Sequence, residues 1–234
     1  MLHLILADSE IETIPPVIAG HRVVLRHARR RGRKPTELIL NSGLHYPAMR
    51  GLPDMERRGR PDIAHFSLLL ALDSPLNRSG LLRVHVHTRH NMLIEVHPSA
   101  RLPVAQHRFE GLLEQLFLSG RAPPQEPLLT LERASLREIV DRISPAKTIV
   151  LTDRGERREW GRVFEGASPG DDVAVIIGGF PHGDFLSPVN ELAGEMVCID
   201  PDLLLAPTVV ARAIGAYEEF IGLQGERLGL AEKK

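Results

Sequence analysis

Residues 57–77 read RRGRPDIAHFSLLLALDSPLN, and the rest of the chain can be placed around this stretch. A basic turn leads into Pro61. Ile63, Phe66, Leu69, Leu70 and Leu72 then recur at helical spacing up to a second turn at Asp73-Ser74-Pro75. Proline suits the first position of a helix, where its missing N–H would have no partner, so Asp62 falls in the first turn, where the helix dipole favours a carboxylate. The spacing predicts a helix with a buried body and with Arg57, Arg58 and Arg60 just outside its start. Asp62 lies close enough to hold Arg60, and an arginine aimed in advance suits a phosphate or the polar edge of a base.

Composition sets the outer limits. A chain of 234 residues is long enough to bury a substantial core, and it reads as one domain over residues 1–234. Its one cysteine, Cys198, excludes an internal disulfide and fits a reducing compartment. No apolar run is long enough to span a membrane, and the chain opens directly on a strand-like segment, so neither a span nor a signal peptide is expected. The formal net charge of -1 hides an asymmetry. Residues 1–110 carry 16 basic and 10 acidic side chains, whereas residues 165–234 carry 4 and 12. A polyanion would therefore bind through the front half.

Upstream of the arginine turn, Leu2–Ala7 is a short apolar run that reads as a buried strand. Val17, Ile18, His21, Val24, Leu25 and Ala28 repeat at helical spacing, and this helix ends in Arg29-Arg30-Arg31-Gly32-Arg33-Lys34. That basic run is either a well-capped solvated helix end or a phosphate contact. Glu37–Leu40 reads as a strand, and a short helix is expected around Tyr46–Leu52.

Downstream, Leu81–His87 and Met92–His97 read as two strands joined at Thr88–Asn91, within a strand-rich extension over about residues 78–103. A helix follows from Ala105 to Leu118, with Arg101 before it and Arg108 near its first turn. Leu128–Ile143 includes a helix capped by Ser135. From Lys147 the pattern alternates: Thr148–Thr152 as strand, a charged excursion to Trp160, strand Val173–Ile177, strand Met196–Ile199, and a closing helix Thr208–Phe220. Such alternation favours a mostly parallel sheet, which binds ligands at the loops beyond its strand C-termini. Two loops qualify. Gly178, Gly179 and Gly183 would let backbone approach a ligand, and Ile199–Leu204 supplies apolar side chains and free amides. The glycines fit neither a dinucleotide fingerprint nor a Walker loop, which argues against those nucleotides.

Taken in order, Arg58-Gly59-Arg60-Pro61-Asp62-Ile63, Leu72-Asp73-Ser74-Pro75-Leu76-Asn77, Ile94-Glu95-Val96-His97-Pro98, Arg101-Leu102-Pro103 and Arg108-Phe109-Glu110-Gly111-Leu112 make up a recognisable series. With Ile177-Gly178-Gly179-Phe180-Pro181-His182-Gly183, it resembles the ribosomal small-subunit pseudouridine N1-methyltransferases of the SPOUT superfamily over nearly the whole chain. The resemblance implies a SPOUT-type α/β fold with a C-terminal trefoil knot around a mostly parallel sheet. It also implies S-adenosyl-L-methionine held by residues 147–234, a homodimer, small-subunit rRNA and other ribosome-assembly factors as partners, and a cytoplasmic location. Carried over by position, Gly178, Gly183, Ile199, Asp200, Pro201, Asp202, Leu203 and Leu204 would line the cofactor site, with Thr152 at a neighbouring strand end. Arg60, Arg101 and Arg108 would contact rRNA, and Asp62 would either fix Arg60 or help deprotonate the base. Val104 departs from the family pattern, which has another arginine there. The contact is then missing, or His107 or Arg50 supplies it.

Transfer from a sulfonium needs no covalent enzyme intermediate, so desolvation, alignment and a route for the N1 proton are what the protein must provide. Two other functions compete with this one. A ribosome-assembly factor could bind rRNA through the same arginines with catalysis dispensable. A zinc hydrolase could use His85, His87, His90 and His97, but no H-E-x-x-H or cysteine pair accompanies them, and no metal is expected.

Overall fold

The structure, a computed structural model, describes residues 1–192 and 194–230. Residue 193 and residues 231–234, the end of the expected domain, lie outside the described residues. Eight strands form one sheet: β1 (Leu2–Ser9), β2 (Leu82–Thr88), β3 (Met92–Val96), β4 (Arg121–Ala122), β5 (Leu129–Arg133), β6 (Lys147–Arg157), β7 (Val173–Gly178) and β8 (Glu195–Cys198). Their order is β4-β5-β3-β2-β1-β7-β6-β8. The strands from β2 to β8 run parallel, and β3, β5 and β4 close one edge in antiparallel fashion. Residues 78–103 thus put β2 and β3 inside the sheet, with β2 paired directly to β1, rather than forming an appended extension.

Side-chain alternation along β1 explains the layering. Leu2, Leu4 and Leu6 face α3 (Pro61–Asp73), α5 (Gln106–Ser119) and α7 (Ala206–Phe220). Ile5 and Ala7 face α6 (Leu136–Ile143) on the other side. A smaller cluster joins α1 (Arg22–Arg31) and α2 (Ser42–Met49) through Val24, Ala28, Leu40, Ala48 and Met49. The remaining helices, α4 (Pro75–Arg78) and α8 (Leu223–Arg227), are short.

Four expectations are corrected. Glu37–Leu40 is no strand: Pro35–Glu37 makes a 3₁₀ turn, and only an isolated Thr13–Ile39 bridge forms. The first helix starts at Arg22 rather than near Val17, because Pro16–Ile18 forms its own turn and the His21 ring caps the helix by accepting from the Val23 N–H at 3.3 Å. The charged excursion after Thr152 is largely strand, since β6 runs on to Arg157 across a register shift against β8. Gly155 permits this, because a Cβ there would sit 2.4 Å from the Val197 nitrogen. The body of α3 is not wholly buried, for Phe66 and Leu70 are 51% and 46% exposed.

Candidate functional site

The C-terminal ends of β7 and β8 and the middle of β6, at its register shift, open into a cleft. Thr152, Gly178, Gly183, Ile199, Asp200, Asp202, Leu203 and Leu204 line it, all singled out from sequence. Pro201 is exposed and does not line it. Sequence reasoning did not assign Asp153, Phe180, Asp184, Phe185, Cys198 and Val209 to the site, and these are among the other residues of the wall. Phe180 lies within the glycine run, and its ring leaves no room for a Cβ on Gly178, which would fall 2.7 Å from the ring carbons.

The loop that follows β7 is anchored to the N-terminal strand. Asp8, buried at the end of β1, accepts from the Leu186 and Ser187 N–H groups at 2.7 and 2.9 Å and from the Ser187 hydroxyl at 2.7 Å. Burial alone would raise the pKa of Asp8. The His87 ring and the Ser187 donors outweigh it and hold the carboxyl below its ordinary value. Gly179 presses against Ser9: a Cβ there would lie 2.1 Å from the Ser9 Oγ. Arg57 supplies a second anchor. Its Nη1 donates to the Asp184 carbonyl at 2.8 Å, and its guanidinium lies 4.3 Å over the Phe180 ring.

The arginine turn differs from the sequence picture. Arg57 and Arg58 are buried, not presented. Arg57 Nε donates to Glu10 at 2.5 Å, and Arg58 forms a fork with Glu12 at 2.8 and 2.6 Å. Only Arg60 reaches the surface, held by Asp62 in a bidentate pair at 2.8 and 2.7 Å, with its side chain 33% exposed. That pair raises the pKa of Arg60 further above its already high value. Glu10 joins the two halves of the site. Its N–H donates to the Gly179 carbonyl at 3.3 Å, its carbonyl accepts from the Arg60 N–H at 3.0 Å, and its carboxylate takes Arg57 and Arg89. The signal for these anchors was present in Asp8-Ser9-Glu10-Ile11-Glu12, where three acids alternate with other residues straight after a buried strand.

Arg101 and Arg108 are exposed and make no ion pair among the described residues. Their elements meet α3 at His65, whose Nε2 lies 2.7 Å from the Pro103 carbonyl and whose ring stacks on Phe109 at 4.4 Å. Val104 is 81% exposed between them, and His107 and Arg50 are also exposed. The histidines go to other partners: His85 lies beside His3 and Glu95, and His87 beside Asp8 and Asn91. Among the described residues, no group of three or more metal-ligating side chains converges.

Fold and site together define an α/β protein with a ligand cleft at the ends of parallel strands, linked through Glu10 to a surface arginine turn. Residues 4–218 match the family described as EMG1/NEP1 methyltransferase, and the chain belongs to that family. It is 42% identical over 226 residues to the ribosomal RNA small subunit methyltransferase Nep1 of Thermococcus kodakarensis, covering 95% of this chain and 100% of that protein. It is 44% identical over 220 residues to the protein of the same name from Pyrococcus furiosus, covering 93% and 96%. The crystal structure of Archaeoglobus fulgidus Nep1 bound to S-adenosylhomocysteine superposes with a TM-score of 0.83 at 34% identity, covering 94% of this chain and 98% of that one. The expected SPOUT-type α/β architecture stands on that match.

Proposed function

We propose that the protein uses S-adenosyl-L-methionine to methylate N1 of a pseudouridine in small-subunit rRNA and serves small-subunit biogenesis as a homodimer. The observation that carries this reading is the junction at Glu10, which ties the loop lining the cleft to the turn bearing Arg60. Methylation of rRNA agrees with the names of the relatives. Pseudouridine as the target and the second copy rest on the resemblance of the motifs.

The cleft's chemistry fits the cofactor. Leu203 and Leu204 offer apolar surface, Gly178 and Gly183 bring backbone close, and Asp153, Asp200 and Asp202 suit a ligand bearing a sulfonium and an ammonium. When bound, the cofactor supplies an activated methyl group. This chain's residues do the rest: Arg60, Arg101 and Arg108 grip phosphates beside an extruded base, and the walls of the cleft exclude water. Asp62 fixes Arg60 in a fork, which leaves a carboxylate beside the entering base as an acceptor for the N1 proton. Phe66 and Leu70, exposed one turn apart on α3, are the kind of surface a second copy would cover.

Mass spectrometry of a pseudouridine-containing rRNA hairpin, after incubation with protein and cofactor, tests the reading against the matching uridine hairpin. A single added methyl on the first RNA alone is expected. Methylation of both hairpins, or of neither, defeats it. Asp62→Asn should lower kcat by about 10²-fold or more if the carboxylate takes the proton, and by far less if it only steadies Arg60.

A further inference from the structure

Arg57 touches both halves of the site, although its side chain is only 9% exposed and does not itself line the cleft. Toward the arginine turn, its Nε is held by Glu10, whose carbonyl accepts from the Arg60 N–H at 3.0 Å. Toward the cleft, its guanidinium lies against three residues of the wall. It stacks 4.3 Å over Phe180, donates through Nη1 to the Asp184 carbonyl at 2.8 Å, and passes so near Gly183 that a Cβ there would fall 3.4 Å from Nη1. A fourth residue of the wall, His182, donates from Nε2 to the Glu56 carbonyl at 3.2 Å. The segment just before the arginine turn therefore backs the outer side of the loop.

This contact is unfinished. Arg57 Nη2 is shut off from solvent and meets no acceptor among the described residues. A buried N–H of a charged group without an acceptor is costly, so an arrangement of the loop that offers it a carbonyl is favoured. The loop has the freedom to do so. Residues 180–188 belong to no strand or helix, and Gly183 holds φ at +87°, where glycine turns without steric penalty.

A ligand seated in the cleft covers Phe180, Gly183 and Asp184 from the inside while Arg57 backs them from the outside. Fixing the loop then fixes the guanidinium and, through Glu10, the backbone that sets Arg60. The freedom of this strip is lost only once, so whichever ligand binds first lowers the cost for the other. We propose that Arg57 is a positioning residue that couples the two ligands: a filled cofactor cleft tightens RNA binding at Arg60, and bound RNA tightens the cofactor by the same factor. This rests on the reading of the protein as an rRNA methyltransferase.

Titration calorimetry of the full chain with S-adenosylhomocysteine, with and without a saturating pseudouridine stem-loop, measures the coupling. Anisotropy of the labelled stem-loop, with and without S-adenosylhomocysteine, measures its reciprocal. The wild type should show a tightening of about tenfold, equal in both directions. Arg57→Lys keeps a cation for Glu10 but loses the planar stack and the fork that reaches Asp184, and should bring the ratio to about one. Phe180→Leu removes the stack from the loop side and should lower the ratio in the same direction, which decides the matter if the lysine variant does not fold. Weaker binding of each ligand alone with the wild-type ratio kept overturns the proposal, because Arg57 then serves the fold only. A wild type that binds both ligands with a ratio of one or below overturns it as well. If the wild type fails to bind one of the ligands, the methyltransferase reading falls and takes this inference with it.

Discussion

The two walls of the site are built from opposite materials. On the front wall, charges cancel inside the protein: Arg57 with Glu10, Arg58 with Glu12, Arg60 with Asp62. On the back wall, Asp153, Asp200 and Asp202 make no ion pair among the described residues, and shape comes from apolar side chains and tightly packed glycines. Within the arginine turn, the two guanidiniums that face inward are locked by buried carboxylates, and the one at the surface is braced by Asp62. A small cationic ligand needs no such bracing. It needs a slot at the strand ends and negative potential, which unpaired aspartates provide.

The largest effect should follow from removing the residue on which both walls depend. Glu10 is fully buried, and its carboxylate neutralises Arg57 at 2.5 Å and Arg89 at 2.7 Å. Glu10→Ala leaves the buried Arg57 without a carboxylate and Arg89 with Asp54 alone, and should cost about 3–5 kcal/mol, measured by urea unfolding. Asp62→Asn acts on the one half-exposed pair and should cost no more than about 1 kcal/mol. If the two variants lost equal stability, the front wall would not be the internally neutralised block described.

That block also marks what could be read from the residues alone. Buried parallel strands are continuous apolar runs, so β1 and β7 were legible, as were Pro61 opening α3, Gly32 stopping α1 and Ser135 capping α6. The loops after β7 and β8 were legible as candidate ligand loops for the same reason: glycines or amides follow a buried strand. The ion pairs were not. Glu10 meets Arg57 across 47 positions and Glu12 meets Arg58 across 46, and nothing local distinguishes a buried arginine from a solvated one. Charged β6 beyond Thr152 was missed because its pairing depends on Gly155 lying against Val197, a tertiary contact. Asp153, on the charged stretch of β6, and Asp184, in the loop after β7, were missed because an aspartate carries no signal until the fold brings a cleft to it.

Stability against pH sharpens the comparison next, because the strongly perturbed histidine of the α1–α2 cluster belongs to the front. Burial, then the neighbouring His27, pushes the His45 pKa down to about 4 from 6.5. The unfolded chain therefore takes up a proton that the folded chain refuses, and stability falls as pH drops from 6.5 towards 4. Allowing for its coupling to His27, the loss from His45 should be about 2–3 kcal/mol. His45→Gln should make the profile shallower by that amount, while burial of His3, whose pKa is also pushed down to about 4, leaves a remaining slope. Asp8 and Glu12, held below their ordinary values of 3.8 and 4.5, add a second loss that begins near those values and continues as the pH falls further. A profile flat from pH 6.5 to 4 in the wild type would contradict the first window.

The back wall offers the smallest change in stability and the clearest separation of folding from binding. Leu203 and Leu205 are 82% and 74% exposed two residues apart, yet only Leu203 lines the cleft. Exposed side chains contribute little to folding, so Leu203→Ser should shift stability by less than about 0.5 kcal/mol. A bound cofactor would cover it, however, and losing part of a buried leucine should weaken S-adenosylhomocysteine binding about tenfold by calorimetry. Leu205 is the N-cap of α7 and makes no side-chain cap. Leu205→Ser installs a hydroxyl that can accept from the first turn and should raise stability by about 0.5–1 kcal/mol with cofactor affinity unchanged. Equal loss of affinity in both variants would mean that the apolar lip acts as one surface, and the division between slot and scaffold would have to be redrawn at α7.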